Sequence, residues 1–223
     1  MKSSALQTII QNAIVKKIAE IVTELVQFAY AIGFFSELII TIIVVFLLHS
    51  HVYILMFYLI GFVFSVYLNR WMKGQVKDPR PDHPIKFLAS ESFTKAKPSD
   101  NFYGMPSGHS QQILYSIVYL YGTLREVCKF SVPSVPCTFE DSWIWIWICV
   151  AIGCFMILER WLFRNHTVSQ LLVGAVVGVL YGLFILGLQR ATLQRASLQS
   201  TAAAVPGEAT TSPTPTHGQS YAT

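Results

Sequence analysis

The chain has 223 residues, of which 53% are hydrophobic and 13% charged, and its formal net charge is +4; its mean hydropathy is +0.49. Soluble domains carry about 25% charged residues, so this balance excludes an ordinary soluble domain and points to a chain embedded in a bilayer. An aromatic-interleaved basic tract, a Cys/His zinc spacing, a Walker loop and a dinucleotide fingerprint are all missing, which argues against nucleic-acid and nucleotide-cofactor classes.

The predicted elements are helical throughout. Residues 1–32 mix apolar positions with Lys16, Lys17, Glu20 and Glu24 at helical spacing and read as an interfacial amphipathic helix. Met1 to Leu25 lacks the apolar core and small-residue cleavage site of a signal peptide. Five apolar segments follow, at about 33–49, 52–72, 106–126, 142–162 and 166–189, and several alone reach the roughly 20 residues that a bilayer core requires. Glu37 makes the first of these the weakest span. Trp143, Trp145 and Trp147 mark one membrane interface, Trp71 and Trp161 the other. His166, Gln170, Gly174, Gly178 and Gly182 recur every four residues, and small residues so spaced let helices approach closely in lipid. The expected organisation is an N-terminal amphipathic segment (1–32), a membrane domain (33–190) and a disordered Ser/Thr/Pro-rich tail (191–223). Cys149 and Cys154 lie in an apolar run; Cys128 and Cys137 flank one short loop and could pair in an oxidising lumen.

Three polar clusters interrupt the apolar background: Lys73 to Arg80-Pro81, Pro106-Ser107-Gly108-His109, and Arg160 to His166. If the apolar segments cross in alternation, the second ends at Lys73, the third begins at Pro106, the fourth ends at Arg160 and the fifth begins at His166. All three clusters then meet at one membrane face. Lys73, Arg80 and Arg160 are suited to holding phosphate oxygens, arginine by a bidentate grip and lysine as a point charge. Ser107 and Gly108 open a helix whose free amides and positive dipole end make an anion site. His166 and His109 can divide the roles of nucleophile and proton donor. Isolated cations at helix ends more often snorkel than react; the coincidence of three with two imidazoles favours chemistry on a phosphate.

The clusters resemble the three signature motifs of the type 2 phosphatidic acid phosphatase and vanadium haloperoxidase superfamily: Lys-x6-Arg-Pro, Pro-Ser-Gly-His and Ser-Arg-x5-His-x3-Asp. The first two match in full; in the third, Glu159 replaces Ser and Gln170 replaces Asp. The resemblance implies an all-α integral membrane phosphatase, a helical bundle of about five transmembrane helices. It implies no metal or other cofactor, His109 as general acid and His166 as the residue that is phosphorylated. Tyr103-Gly-Met-Pro-Ser-Gly-His-Ser-Gln111 and His166-Thr-Val-Ser-Gln170 look like the dolichyldiphosphatase branch, although Gly108 stands where that branch more usually has Ser. The implied reaction is hydrolysis of a dolichyl (polyprenyl) diphosphate to the monophosphate and phosphate, in the endoplasmic reticulum membrane, recycling a lipid carrier for glycosylation. The partners expected are this lipid-linked substrate and the membrane, with no nucleic acid. A broader lipid phosphate phosphatase and a catalytically silent scaffold remain the alternatives. Gln170 is expected to hold His166 by a neutral hydrogen bond, and Gln170→Asp to preserve or raise activity unless burying the new carboxylate costs more. For orientation, relatives of the branch place the site in the lumen, whereas the cations on the site-bearing side, among them Lys16, Lys17, Arg70, Lys77 and Arg164, put it in the cytosol by the positive-inside rule.

Overall fold

The computed structural model describes residues 2–81, 103–130 and 139–204, with side chains described for 14–81, 103–126 and 143–199. Its helices are α1 (Lys2–Leu48), α2 (Val52–Val76), α3 (Gly108–Phe130), α4 (Phe139–Leu162) and α5 (Val168–Ala204). Residues Met1–Gln189 form one compact unit and Arg190–Thr223 a second, described only as far as the helical residues ending at Ala204. Among the described residues, four helical stretches are long and apolar enough to cross a bilayer: Ile14–Leu48, Val52–Val76, Trp143–Leu162 and Val168–Gln199. The protein is an all-helical integral membrane protein.

Three expectations change. The boundary at residue 32 does not exist, because α1 continues through it with no proline or turn to stop it. Gly33, the one weak helix former there, serves packing: a Cβ at this position would come within 2.7 Å of the Glu159 carboxylate on α4. The tail expected from residue 191 is helical as far as Ala204, its Ala, Leu, Gln and Arg being good helix formers until Pro206 approaches. The rest of the tail, 205–223, lies outside the described residues, as do the 82–102 connection and Cys137 of the suggested Cys128–Cys137 pair. Finally, α3 is not among the helices that qualify as spans by hydropathy.

α3 is polar because it is the hub of the bundle. It packs on α1, α2 and α4, so little of it must satisfy lipid. Gln111, Tyr115, Ser116 and Tyr119 are all buried, and in a bilayer such groups must bond one another. They do. Gln111 Nε2 donates to both the carbonyl and the hydroxyl of Ser65, each at 2.9 Å. Tyr115 and Tyr119 donate to the carbonyls of Tyr58 (2.8 Å) and Ile54 (2.7 Å), and Tyr58 stacks on Tyr115 with ring centres 5.6 Å apart. The glycine stripe of α5 faces the same hub. A Cβ at Gly174 would meet the backbone of Ser107, and one at Gly178 the backbone of Gln111. These contacts set the start of α3 directly against the start of α5.

Candidate active site

Each polar cluster sits at a helix end, and local geometry explains its placement. α2 stops where Lys77 turns left-handed (φ 51°), its N–H returning to the Lys73 carbonyl at 3.1 Å. The chain then runs extended, with a β-bridge between Pro79 and Tyr103 and a bond from Gly104 N–H to Asp78 O of 2.7 Å. The two ends of the long 73–105 connection are thereby tied together beside α3. α4 ends in a Schellman arrangement: Arg164 is left-handed (φ 54°), its N–H reaches Trp161 O, and Asn165 N–H reaches Arg160 O at 3.0 Å. His166 N–H closes on the same Arg160 carbonyl at 3.3 Å. This turn brings His166 back over Arg160.

α5 begins with a capping box, Thr167-Val-Ser-Gln170. Thr167 Oγ1 accepts from the Gln170 N–H (3.3 Å), and Gln170 Oε1 accepts from the Thr167 N–H (3.2 Å). Gln170 Oε1 also lies 3.1 Å from His166 Nδ1, while its Nε2 donates to Asp78 Oδ2 (2.6 Å) and Pro79 O (2.8 Å). Pro79 O can only accept, and an ionised Asp78 likewise, so the amide cannot be reversed. Its oxygen must face His166, and His166 Nδ1 must therefore carry the proton. The lone pair is left on Nε2.

His166 is 3% exposed. Burial first, then the Arg80 charge, with smaller contributions from Lys73 and Arg160, lowers its pKa to about 3; the Gln170 bond opposes the shift. The imidazole is neutral at physiological pH, and the three cations named from sequence are close enough to act on it.

His109 lies in the first turn of α3. Its Nε2 accepts from Arg160 Nη2 at 3.1 Å, which places the remaining ring proton on Nδ1, 3.7 Å from the Glu37 carboxylate of α1. Arg160 is held on three sides, by His109, by the Phe34 ring (5.7 Å to its centre) and by Glu159. The Arg160 Nε to Glu159 Oε2 separation of 3.2 Å makes an ion pair without an aligned hydrogen bond. Glu159, where the superfamily pattern has Ser, is thus a buried counter-ion for a buried arginine. Ser107 gives its N–H to Gln170 O at 3.0 Å, so that amide is already used. Gly108 and His109, as the first residues of α3, keep amides that no helical carbonyl can reach. Asn69 supports this turn by donating to Pro106 O (3.2 Å) and Gln111 Oε1 (2.9 Å).

Lys73, Arg80, Ser107, Gly108, His109, Arg160, His166 and Gln170 therefore gather at one end of the bundle. Among the described residues no three His, Cys, Asp or Glu side chains come together as metal ligands. Three participants were not singled out from sequence. Glu37 was visible only as a carboxylate inside an apolar helix, itself a signal of function. Asp78 lay inside the first motif without a role, and Asn69 resembled any polar residue near a helix end.

The sequence matches the PAP2 superfamily over residues 54–193, more than half of the chain. The chain belongs to the PAP2 superfamily. The PAP2 match contains all eight residues just named, while Glu37 and Phe34 come from the helix that precedes it. Among solved structures, the transmembrane PAP2-type phosphatidylglycerolphosphate phosphatase from Bacillus subtilis matches with a TM-score of 0.54 and 18% identity, over 76% of this chain and 77% of that one. At that identity the likeness concerns the PAP2 membrane fold. No curated protein matches the chain.

Proposed function

We propose that this PAP2 protein hydrolyses a polyprenyl diphosphate of the dolichyl type to the monophosphate and inorganic phosphate, through a phosphohistidine on His166. The observation that carries the phosphatase reading is the state of His166: neutral, with its lone pair fixed on Nε2, among three cations. In the first step Nε2 attacks the terminal phosphorus and the bond from phosphorus to the bridging oxygen breaks. Lys73, Arg80, Arg160 and the amides of Gly108 and His109 hold the non-bridging oxygens, where charge stabilisation matters most. Arg160 covers His109 Nε2 in the free protein, and burial together with the Arg160 charge holds that ring well below the usual imidazole range; once Arg160 is drawn to the phosphate, Nε2 is exposed, takes up a proton from solvent beside the bound anion and passes it to the leaving oxygen. Glu37 lies 3.7 Å from Nδ1, at the opposite edge of the ring. Water then attacks phosphorus, its proton passes to His109, and release of phosphate restores the lone pair of His166. Neither step calls on a metal or cofactor.

The lipid character of the substrate is supported by an apolar groove of about 680 Å³ between α2 and α5, lined by Tyr53, Ile60, Phe64 and Trp71 of α2 and by Phe184 and Leu188 of α5. Trp71 stands two residues before Lys73, and Tyr53 to Trp71 spans about 27 Å of helix, close to the depth of a bilayer core. The polyprenyl assignment is supported by the Tyr103–Gln111 and His166–Gln170 stretches. A second reading, a phosphatase of glycerophospholipid monoesters, is favoured by the named activity of the Bacillus protein of like fold. Phosphate release by the purified protein in vesicles containing polyprenyl diphosphate, phosphatidylglycerol phosphate or phosphatidate separates them. We expect turnover on the diphosphate to exceed the others at least tenfold and to vanish in His166→Ala; faster release from phosphatidate would establish the second reading. In the same proposal the site faces the endoplasmic reticulum lumen, so cysteines introduced in the 82–102 connection should react in sealed microsomes only after permeabilisation.

A further inference from the structure

Gln170 is completely buried, and its amide makes contacts on both sides: two acceptors at Nε2, two donors at Oε1. The shortest of the four is the 2.6 Å bond to the Asp78 carboxylate, from the segment that also carries Arg80. The superfamily pattern has an aspartate at the position from which Gln170 contacts His166. Here that contact is made by a neutral amide, and the carboxylate stands one hydrogen bond further out.

We propose that Asp78 is the positioning residue behind the nucleophile, acting through Gln170 in a His166–Gln170–Asp78 relay. This deepens the phosphohistidine reading and rests on it. Phosphorylation at Nε2 leaves the His166 ring cationic while Nδ1 keeps its proton. A carboxylate on Nε2 of Gln170 polarises the amide, so the oxygen accepting from Nδ1–H becomes more negative as that charge develops. No proton moves along the relay: the amide donates at one end, accepts at the other and is unchanged after turnover. An aspartate in place of Gln170 would lack the amide donor from which Asp78 and the Pro79 carbonyl now accept.

The relay assigns the charge to one place and allows it to be moved. Asp78→Asn keeps an acceptor for Gln170 but removes the charge; single-turnover formation of phosphohistidine should slow three- to tenfold with KM little changed. Gln170→Glu sets two carboxylates against each other and should lose at least a hundredfold. The double variant Asp78→Asn/Gln170→Glu exchanges the two groups. The amide now on the extended segment donates to the carboxylate now on α5, the charge sits beside His166, and the rate should recover at least tenfold over Gln170→Glu, short of wild type because the Pro79 carbonyl loses its donor. Additive losses in the double variant, or an unchanged rate in Asp78→Asn, would overturn the relay. If wild-type protein turns over no phosphate substrate, the phosphatase reading fails separately, and the relay is then read from the 15N spectrum of His166 in detergent. There the wild type should show the Nδ1-protonated tautomer alone, and Asp78→Ala a mixture; a single unchanged tautomer in Asp78→Ala would refute it.

Discussion

At the scale of single residues, a neutral amide can fix the tautomer of an imidazole without supplying it with charge. Gln170→Ala should therefore slow the chemical step while phosphate affinity, in our proposal set by Lys73, Arg80 and Arg160, changes little. One neutral hydrogen bond contributes about 0.5–1.5 kcal/mol, and the variant also cuts Asp78 off from the ring, so the loss should be at least roughly threefold to tenfold at 1.36 kcal/mol per decade. Single-turnover rates would show it, and an untouched chemical step would remove Gln170 from the mechanism. The low pKa of His166, about 3, gives a second expectation. An ordinary imidazole, with a pKa near 6.5, loses about 25-fold of its neutral form between pH 7 and pH 5. The rate of inactivation by diethylpyrocarbonate should instead fall less than threefold over that range. The same shift costs stability as pH falls below the unfolded value, because the unfolded chain binds a proton that the folded site refuses until about pH 3. The histidines, cations and Gln170 were legible in the sequence because each lies in a short contiguous motif. The Asp78 link was not, since it depends on the pairing of Pro79 with Tyr103 across the long connection.

At the scale of elements, the polarity of α3 and the glycines of α5 are two sides of one interface. Helices in lipid gain little from apolar burial against each other and associate through close packing and interhelical hydrogen bonds. α3 brings the hydrogen bonds; Gly174 and Gly178 bring the closeness. The spacing of these glycines marked the packing face in advance, whereas the role of α3 as hub could not be seen from its own composition. The charges that suggested a separate interfacial helix, Lys16, Lys17, Glu20 and Glu24, are exposed on the same unbroken helix that continues to Leu48. Gly178→Val would drive side-chain atoms into the Gln111 backbone and force α3 and α5 apart. Overpacking costs about 1–3 kcal/mol, and here it shifts Ser107 against Gln170 as well. The expected outcome is a lower melting temperature in detergent together with lost turnover. Gly187→Ala, on the same helix with no heavy atom near its added Cβ, should retain both.

At the scale of the whole molecule, the arrangement separates a charged end, where Lys73, Arg80 and Arg160 gather, from an apolar flank that meets lipid. The separation makes two expectations independent of each other. With Lys73, Arg80 and Arg160 supplying the positive charge, turnover should survive EDTA, and vanadate should inhibit as a five-coordinate mimic of the transferring phosphoryl group; strict magnesium dependence would contradict the mechanism. The second expectation concerns the groove between α2 and α5. If the substrate's hydrocarbon chain lies along it, filling the groove should penalise long lipids and spare short phosphates. Ile60→Trp adds bulk about half-way between Tyr53 and Trp71, where side chains of α2 already line the cavity. Ile60 is half exposed, so the larger ring can enter the groove without disturbing the α2–α3 contact. The lost contacts belong to binding away from the reacting phosphorus, and such losses appear in KM before kcat. KM for a long polyprenyl diphosphate in vesicles should rise several-fold, while kcat and all constants for a short-chain, water-soluble diphosphate stay within twofold of wild type. Equal effects on both substrates would mean that the added indole disturbs the fold, and no effect on either would place the lipid tail elsewhere on the bundle.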